Sequence, residues 1–181
     1  LNVAIKTLTG RMEDKGYEVL GLRRGWASLL QTGRGSASPE SEWVVRLTHE
    51  NTRTIDRTGG TILHSSRTNP MKVKPSEVPP HLESDAPKPG PDGKIDMTKA
   101  AIRTIEDLGL DGLVAIGGDD TLSFAQRLHE EGVPIVGIPK TMDNDVHGTD
   151  YCIGFSTAIS RSVNMITDLR SPSGSHERFL V

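Results

Sequence analysis

Residues 112–145 read GLVAIGGDDTLSFAQRLHEEGVPIVGIPKTMDND, and this stretch decides the fold class. Two short apolar runs, residues 112–116 and 133–138, have the length and composition typical of buried strands. Between them, residues 121–131 follow a helical pattern. Because strand, helix and strand follow one another through short connections, the stretch predicts neighbouring parallel strands of an α/β sheet.

The flanking segments predict the remaining elements of a three-layer α/β/α fold with a mostly parallel sheet. Helices are expected over residues 3–12, 97–108 and 157–169. A strand is expected over residues 17–22, and a strand or a connection over residues 43–48. Residues 58–63 predict a turn that enters a short buried strand. Residues 23–31 predict a loop or short helix, and residues 32–40 a loop. The chain starts in a helical pattern without methionine, and residues 179–181 predict the middle of a strand. We therefore expect an internal piece, truncated at both ends.

Residues 70–96 are polar and rich in proline. Proline removes a backbone donor and disfavours regular helix or sheet. We expect this segment to be a surface insertion with little chemical role.

The composition excludes several classes of function. The net charge of −3 gives no electrostatic footprint for nucleic acid or a membrane surface, and aromatic residues are only 4% of the chain. The single cysteine, Cys152, allows neither an internal disulfide nor a cysteine zinc site. This cysteine content fits a reducing cytosol, so we expect a cytoplasmic protein. Because no apolar run approaches about 18 residues, we expect no membrane span.

The loop after the first predicted strand is Gly117-Gly118-Asp119-Asp120-Thr121. Paired glycines let the backbone approach a bulky anion, and the following helix N-terminus favours phosphate. Two carboxylates there would repel phosphate unless a hard cation such as Mg²⁺ lay between them. The alternative is that Asp119 or Asp120 is simply a helix N-cap.

The loop after the second predicted strand, residues 139–145, reads PKTMDND. It combines an ammonium, a hydroxyl, carboxylates and an amide, the groups that phosphoryl transfer needs. The alternative is an Asx-type turn with a cap, which Asp and Asn also favour. Both loops follow strands at their carboxyl ends, where open α/β sheets bind ligands.

With these motifs the sequence resembles the phosphofructokinases. The shared motifs are GYEV at 16–19 with GW at 25–26, GGTIL at 59–63 with SR at 66–67, the two acidic loops, GTD at 148–150, GFSTA at 154–158 and SHER at 175–178. Residues 70–96 lie outside this resemblance. His64 stands where the family usually has a small glycine before the Ser-Arg pair, a departure that affects the close approach of that turn.

The resemblance implies a role for each candidate site residue. Asp119 would hold Mg²⁺, and Asp143 would take the proton from the 1-hydroxyl of fructose 6-phosphate. The expected substrate-binding residues are Thr141, Asp145 and Arg178. The expected donor-binding residues are Arg67, Gly118, Asp120, Thr121 and Lys140.

Two substitutions point to the phosphoryl donor. ATP-using family members usually have glycine in place of Asp120 and of Lys140, and this combination resembles the pyrophosphate-dependent branch. An aspartate fills the space that a nucleotide α-phosphate needs and adds like charge, while lysine adds a cation for a smaller donor. ATP as the donor remains the alternative.

The resemblance also implies an organisation for the protein. It predicts a glycolytic enzyme with a donor-binding domain over residues 1–154, the start of a sugar-phosphate-binding domain over 155–181, and a homo-oligomer whose sugar site is shared between subunits. We expect the fragment alone to be inactive.

Two further hypotheses concern the class of protein. One is a lipid or NAD kinase of related fold, which also uses a glycine-glycine-aspartate loop, and residues 139–145 argue against it. The second is a non-catalytic regulatory subunit, which would be expected to lose the base or the metal carboxylate. The presence of both Asp119 and Asp143 argues against that hypothesis.

Overall fold

A computed structural model describes residues 1–33 and 41–178. Its α-helices are α1 (Asn2–Glu13), α2 (Ala27–Gln31), α3 (His49–Thr52), α4 (Thr98–Asp107), α5 (Asp119–Glu130) and α6 (Phe155–Ser175). Its strands are β1 (Val19–Leu22), β2 (Val44–Leu47), β3 (Leu113–Gly117) and β4 (Ile135–Pro139). Short 3₁₀ helices span Ile55–Arg57, Pro70–Lys72, Pro75–Glu77 and Pro80–Asp85. The predicted loop at 34–40 and the predicted terminal strand at 179–181 lie outside the described residues.

The described strands form two pairs, of which one is parallel. Strand β3 pairs with β4 in parallel, from Leu113 opposite Ile135 to Gly117 opposite Pro139. Strand β1 pairs with β2 in antiparallel order, so residues 43–48 do contribute a strand. The chain has the expected α/β fold with parallel strands, and the parallel pair carries both acidic loops.

The burial of the parallel pair differs from the prediction. Ala115 of β3 faces the core, whereas Val114 is 37% exposed and Val136 of β4 is 62% exposed. The prediction that both strands are buried is therefore wrong for one face. An apolar run indicates that a strand can be buried on both faces. Within the described residues, however, α5 and its neighbours cover only one face of this pair.

The main hydrophobic core forms around α5. Phe124 and Leu128 lie one helical turn apart and are both fully buried. The ring of Trp26, just before α2, meets the ring of Phe124 edge to face, with centroids 5.1 Å apart. Helix α4 contributes Ala101 and Ile105, one helical turn apart, to the same cluster.

The proline-rich segment is part of this core, which corrects the expectation of a surface insertion. Val73, Val78 and Ile95 are all less than 10% exposed and belong to the main cluster. The segment contains only 3₁₀ turns and one bridge, between Val73 and Ile95, which agrees with the exclusion of regular helix and sheet. Its prolines prevent periodicity, so the sequence carries no signal for its buried residues.

The short strand predicted within residues 58–63 is also wrong, because these residues form bends and a turn. Their backbone groups bind elsewhere: the Ile62 amide donates to the Asn2 side chain at 2.9 Å, and the Leu63 carbonyl accepts from the Arg24 amide at 2.7 Å. These contacts satisfy the backbone without a neighbouring strand.

Helix α6 is longer than predicted and contains no buried residue. Its apolar side chains Ile159, Val163 and Ile166 are each about half exposed. In the described part of the chain, no helix has both the length and the apolar character that a membrane span requires.

Replacing Phe124 by alanine should lower the free energy of unfolding by about 3 to 5 kcal/mol, because it removes a fully buried ring and leaves a cavity beside Trp26. Urea unfolding measures this change. Gln126→Ala, on the exposed face of the same helix, is the matched control and should change stability by less than about 0.5 kcal/mol. Equal effects for the two variants would contradict the assigned core.

Candidate active site

The two acidic loops begin at adjacent strand ends. The last residue pair of the parallel ladder is Gly117 and Pro139, and the Lys140 amide then donates to the Gly117 carbonyl at 2.8 Å. The Gly118 Cα lies so close to the second loop that a Cβ placed on it would be 3.6 Å from the Lys140 carbonyl oxygen. The backbone therefore brings the two loops together, as the strand order predicts.

The first loop turns directly into α5. Gly118 is the N-cap and Asp119 is the first helical residue, so neither Asp119 nor Asp120 is the cap. The N-cap alternative is therefore wrong, and both carboxylates stand in the first helical turn, where the helix dipole favours negative charge. Thr121 packs its side chain on Gly117, where any Cβ would lie 2.4 Å from the Thr121 Cβ. Position 117 therefore requires glycine.

Asp120 is held by a residue that the sequence patterns do not reveal. The Asn69 side-chain amide donates to an Asp120 carboxylate oxygen at 2.8 Å. The Asn69 side-chain oxygen accepts from the Met71 amide at 3.0 Å and so caps the 3₁₀ helix that begins at Pro70. Asn69 is only 7% exposed. The Asn-Pro dipeptide signals a turn, but nothing in its pattern indicates a distant aspartate.

Arg67 and Asp120 line one open pocket of about 700 Å³. Its other lining residues come from α2, the proline-rich segment and the turn before it, including Asn69. Gly118, Asp119, Thr121 and Lys140 are not among its lining residues. The structure thus brings together two of the predicted donor-binding side chains and leaves the others beside the strand ends.

The second loop is ordered by its neutral side chains. The Thr141 hydroxyl accepts from the Asp143 amide and donates to Asp145, each at 3.2 Å. Asn144 accepts from the Cys152 amide at 2.8 Å, a bond to a residue eight positions on and not the local Asx turn considered as the alternative. The Asp143 carboxylate is exposed and makes no hydrogen bond to any described residue, so turn formation does not account for it.

A glycine closes this loop from the other side. The Thr141 amide donates to the Ile153 carbonyl at 3.1 Å, and the next residue, Gly154, has φ +114°. A Cβ at Gly154 would lie 2.9 Å from the Thr141 carbonyl oxygen. Only glycine fits both this conformation and this contact.

Arg178 is not brought to the loops within this chain. It follows α6, which starts beside Thr141 at Phe155 and runs for 21 residues. A helix of that length spans about 30 Å, so its far end is remote from its start.

His64 adopts a left-handed conformation with φ +59°. A glycine would take this conformation without strain, which gives a physical reason for the glycine usually found there. The turn is nevertheless fixed: the hydroxyl of Ser66 donates to the Arg24 carbonyl at 2.7 Å.

Comparison with known proteins decides the family. A model described as "Phosphofructokinase" matches residues 1–181, the proline-rich segment included. The chain belongs to the phosphofructokinase family. The resemblance stated from the sequence, which left out residues 70–96, therefore covered too little of the chain.

Phosphofructokinase relatives of both donor types are similar to the chain. It is 38% identical to a pyrophosphate–fructose 6-phosphate 1-phosphotransferase of Dictyoglomus thermophilum, over all of this chain and 43% of that protein. It is 31% identical to an ATP-dependent 6-phosphofructokinase of Aquifex aeolicus, over all of this chain and 47% of that protein. The chain thus spans less than half the length of these relatives. A phosphofructokinase structure from Saccharomyces cerevisiae matches 97% of the chain and 23% of that protein with a TM-score of 0.66 at 22% identity, a likeness of fold.

Asn69→Ala should lower the free energy of unfolding by about 1 to 3 kcal/mol, because it removes a cap and a hydrogen bond to a carboxylate. Chemical denaturation measures the loss. Asn164→Ala, on the exposed surface of α6, is the control and should stay within about 0.5 kcal/mol of the parent. A variant at position 69 as stable as the control would mean that the described contacts do not stabilise the fold.

Proposed function

We propose that this protein is a 6-phosphofructokinase that transfers a phosphoryl group, with pyrophosphate as donor, to the 1-hydroxyl of fructose 6-phosphate in glycolysis. The observation that carries the proposal is the adjacency of the two acidic loops at the ends of β3 and β4. Family membership and the printed names of the relatives support the reaction class.

Asp143 is the proposed base. Its amide is fixed by Thr141, and Thr141 is in turn bonded to Asp145, so the loop holds the position of Asp143 without using its carboxylate. An exposed carboxylate with free lone pairs can orient a sugar hydroxyl and accept its proton as the oxygen attacks phosphorus. Thr141 and Asp145 stand beside that reaction as substrate-binding residues.

Asp119 is the proposed Mg²⁺ ligand. The described residues contain no group of three or more His, Cys, Asp or Glu side chains that could enclose a metal. Mg²⁺ in phosphoryl-transfer sites is usually held by one or two carboxylates together with substrate phosphates, so an exposed aspartate at a helix start fits a metal that arrives with the donor. Bound there, the ion would neutralise charge on the transferring phosphoryl group.

The donor is assigned to the pocket that Arg67 and Asp120 share, with Gly118 and Thr121 presenting the start of α5 beside it. Asn69 fixes the Asp120 carboxylate, so a nucleotide phosphate cannot displace it without breaking a 2.8 Å hydrogen bond. Lys140 follows β4 at the same edge and supplies positive charge for a small, highly charged donor.

The sugar site extends beyond a single chain in this proposal. Helix α6 carries Arg178 about 30 Å from the acidic loop, a length that suits an arginine serving the site of a second subunit. A homo-oligomer would then combine Asp143 of one copy with Arg178 of another at the sugar 6-phosphate. The division into a donor-binding domain over residues 1–154 and a sugar-phosphate-binding domain from residue 155 follows from the same proposal, as does a cytoplasmic location.

Asp143→Asn should reduce kcat by about 10²- to 10⁴-fold with little change in the KM for either substrate, because it removes the base and preserves the shape of the side chain. Steady-state kinetics of the full-length protein test this. Asp111→Asn, exposed just before β3 and so at the opposite end of that strand from the acidic loop, is the matched control. Full activity of the position 143 variant would exclude this residue as the base.

Changing Asp120 and Lys140 together to glycine should shift donor preference toward ATP. Removing like charge about 4 Å from a nucleotide phosphate is worth roughly 1 to 4 kcal/mol, so the ratio of kcat/KM for ATP to that for pyrophosphate should rise about 5- to 1000-fold. Both donors are assayed with parent and variant. A parent enzyme that prefers ATP would overturn pyrophosphate as donor, and an unchanged ratio would overturn the role of these two residues.

A further inference from the structure

The pocket shared by Arg67 and Asp120 has a second, unassigned group of charges. Its lining contains four cations and two carboxylates: Arg67, Lys72, Lys74, Lys94, Glu77 and Asp120. Three of the four cations belong to the proline-rich segment. An open pocket whose cations outnumber its carboxylates, in a protein of net charge −3, is suited to an anionic ligand.

Backbone pairing places two of these lysines side by side. Val73 and Ile95 form an antiparallel bridge, with amide-to-carbonyl distances of 3.0 and 2.8 Å in the two directions. Both side chains are buried in the main core. Because side chains alternate along extended backbone, the next residue on one strand, Lys74, and the preceding residue on the other, Lys94, both turn away from the core. Antiparallel register makes these two lysines cross-strand neighbours.

Two like charges opposite each other destabilise a strand pair. Glu77 compensates Lys74, with 3.1 Å between ammonium and carboxylate. Lys94 is only partly exposed, and its ammonium has no ion-pair partner among the described residues. The arrangement leaves a cation directed toward the pocket without a protein anion, and a bound anion would satisfy it.

We propose that Lys74 and Lys94 form an anion subsite for an inorganic diphosphate donor. The subsite binds the phosphate group of the donor that is not transferred to the sugar. The inference rests on the proposed function, because it takes the pocket of Arg67 and Asp120 as the donor site. It explains how that pocket can hold a highly charged donor despite the fixed carboxylate of Asp120, since Lys94 in the same lining adds a positive charge with no ion-pair partner among the described residues. It also gives the proline-rich segment a role in donor binding.

The test is a donor titration of the full-length enzyme carrying Lys74→Met or Lys94→Met, which keep the apolar stem and remove the charge. Each variant should raise the KM for pyrophosphate about 5- to 10-fold, because it loses a charge-assisted contact, while kcat and the KM for fructose 6-phosphate stay close to the parent values. Calorimetric titration with pyrophosphate should show the same weakening without turnover.

Two further variants distinguish a specific contact with pyrophosphate from a general effect of removing positive charge from the segment. Lys88→Met removes a charge from the same segment outside the pocket lining and should leave the KM for pyrophosphate unchanged. Lys94→Arg keeps the charge and should stay within about twofold of the parent, which would assign the weakening in Lys94→Met to the lost charge.

Each result decides the inference. Unchanged pyrophosphate affinity in both methionine variants, or equal weakening by Lys88→Met, overturns the subsite and leaves the proposed function intact. An effect on the KM for fructose 6-phosphate alone also overturns it. An enzyme that uses only ATP overturns both the subsite and the choice of pyrophosphate as donor.

Discussion

The candidate site depends on the backbone pairing of β3 with β4. The parallel ladder ends at Gly117 and Pro139, and one more hydrogen bond, from the Lys140 amide to the Gly117 carbonyl, joins the two loops themselves. Close contacts then complete the arrangement: Thr121 packs on Gly117, and Gly154 touches the Thr141 carbonyl. Because main-chain bonds, glycine contacts and the side chains of Thr141 and Asn144 hold the loops, the carboxylates of Asp119 and Asp143 are not needed to hold them and are available for chemistry.

The aspartates in these loops divide into two kinds. Asp120 and Asp145 each accept a side-chain hydrogen bond, from Asn69 and Thr141 respectively, and are fixed by them. All four are exposed, but Asp119 and Asp143 accept no side-chain hydrogen bond from the described residues. This division fits the proposed roles: a metal ligand and a base must bind groups that arrive with the substrates, whereas Asp120, proposed to exclude a nucleotide, must not move.

The sequence predicted the parts of the fold whose signals are local. The pattern over residues 112–145 located β3, α5 and β4 to within about two residues, because short apolar runs and a helical repeat report the elements directly. Asn69 was missed because its partner, Asp120, is 51 positions away. The strand expected within residues 58–63 was wrong because an apolar run does not reveal whether a neighbouring strand exists. Those backbone groups bind Asn2 and Arg24 instead.

In the proline-rich segment the proposed binding role depends on a structural one. Its apolar residues Val73 and Ile95 are buried in the main core, and its lysines Lys72, Lys74 and Lys94 line the pocket. Because successive side chains of an extended strand point to opposite sides, burial of Val73 and Ile95 turns Lys74 and Lys94 away from the core. The Asn69–Asp120 hydrogen bond ties the start of this segment to α5, the helix that follows the first acidic loop. The packing that buries Val73 and Ile95 and the hydrogen bond that holds Asp120 therefore together fix which charges line the pocket.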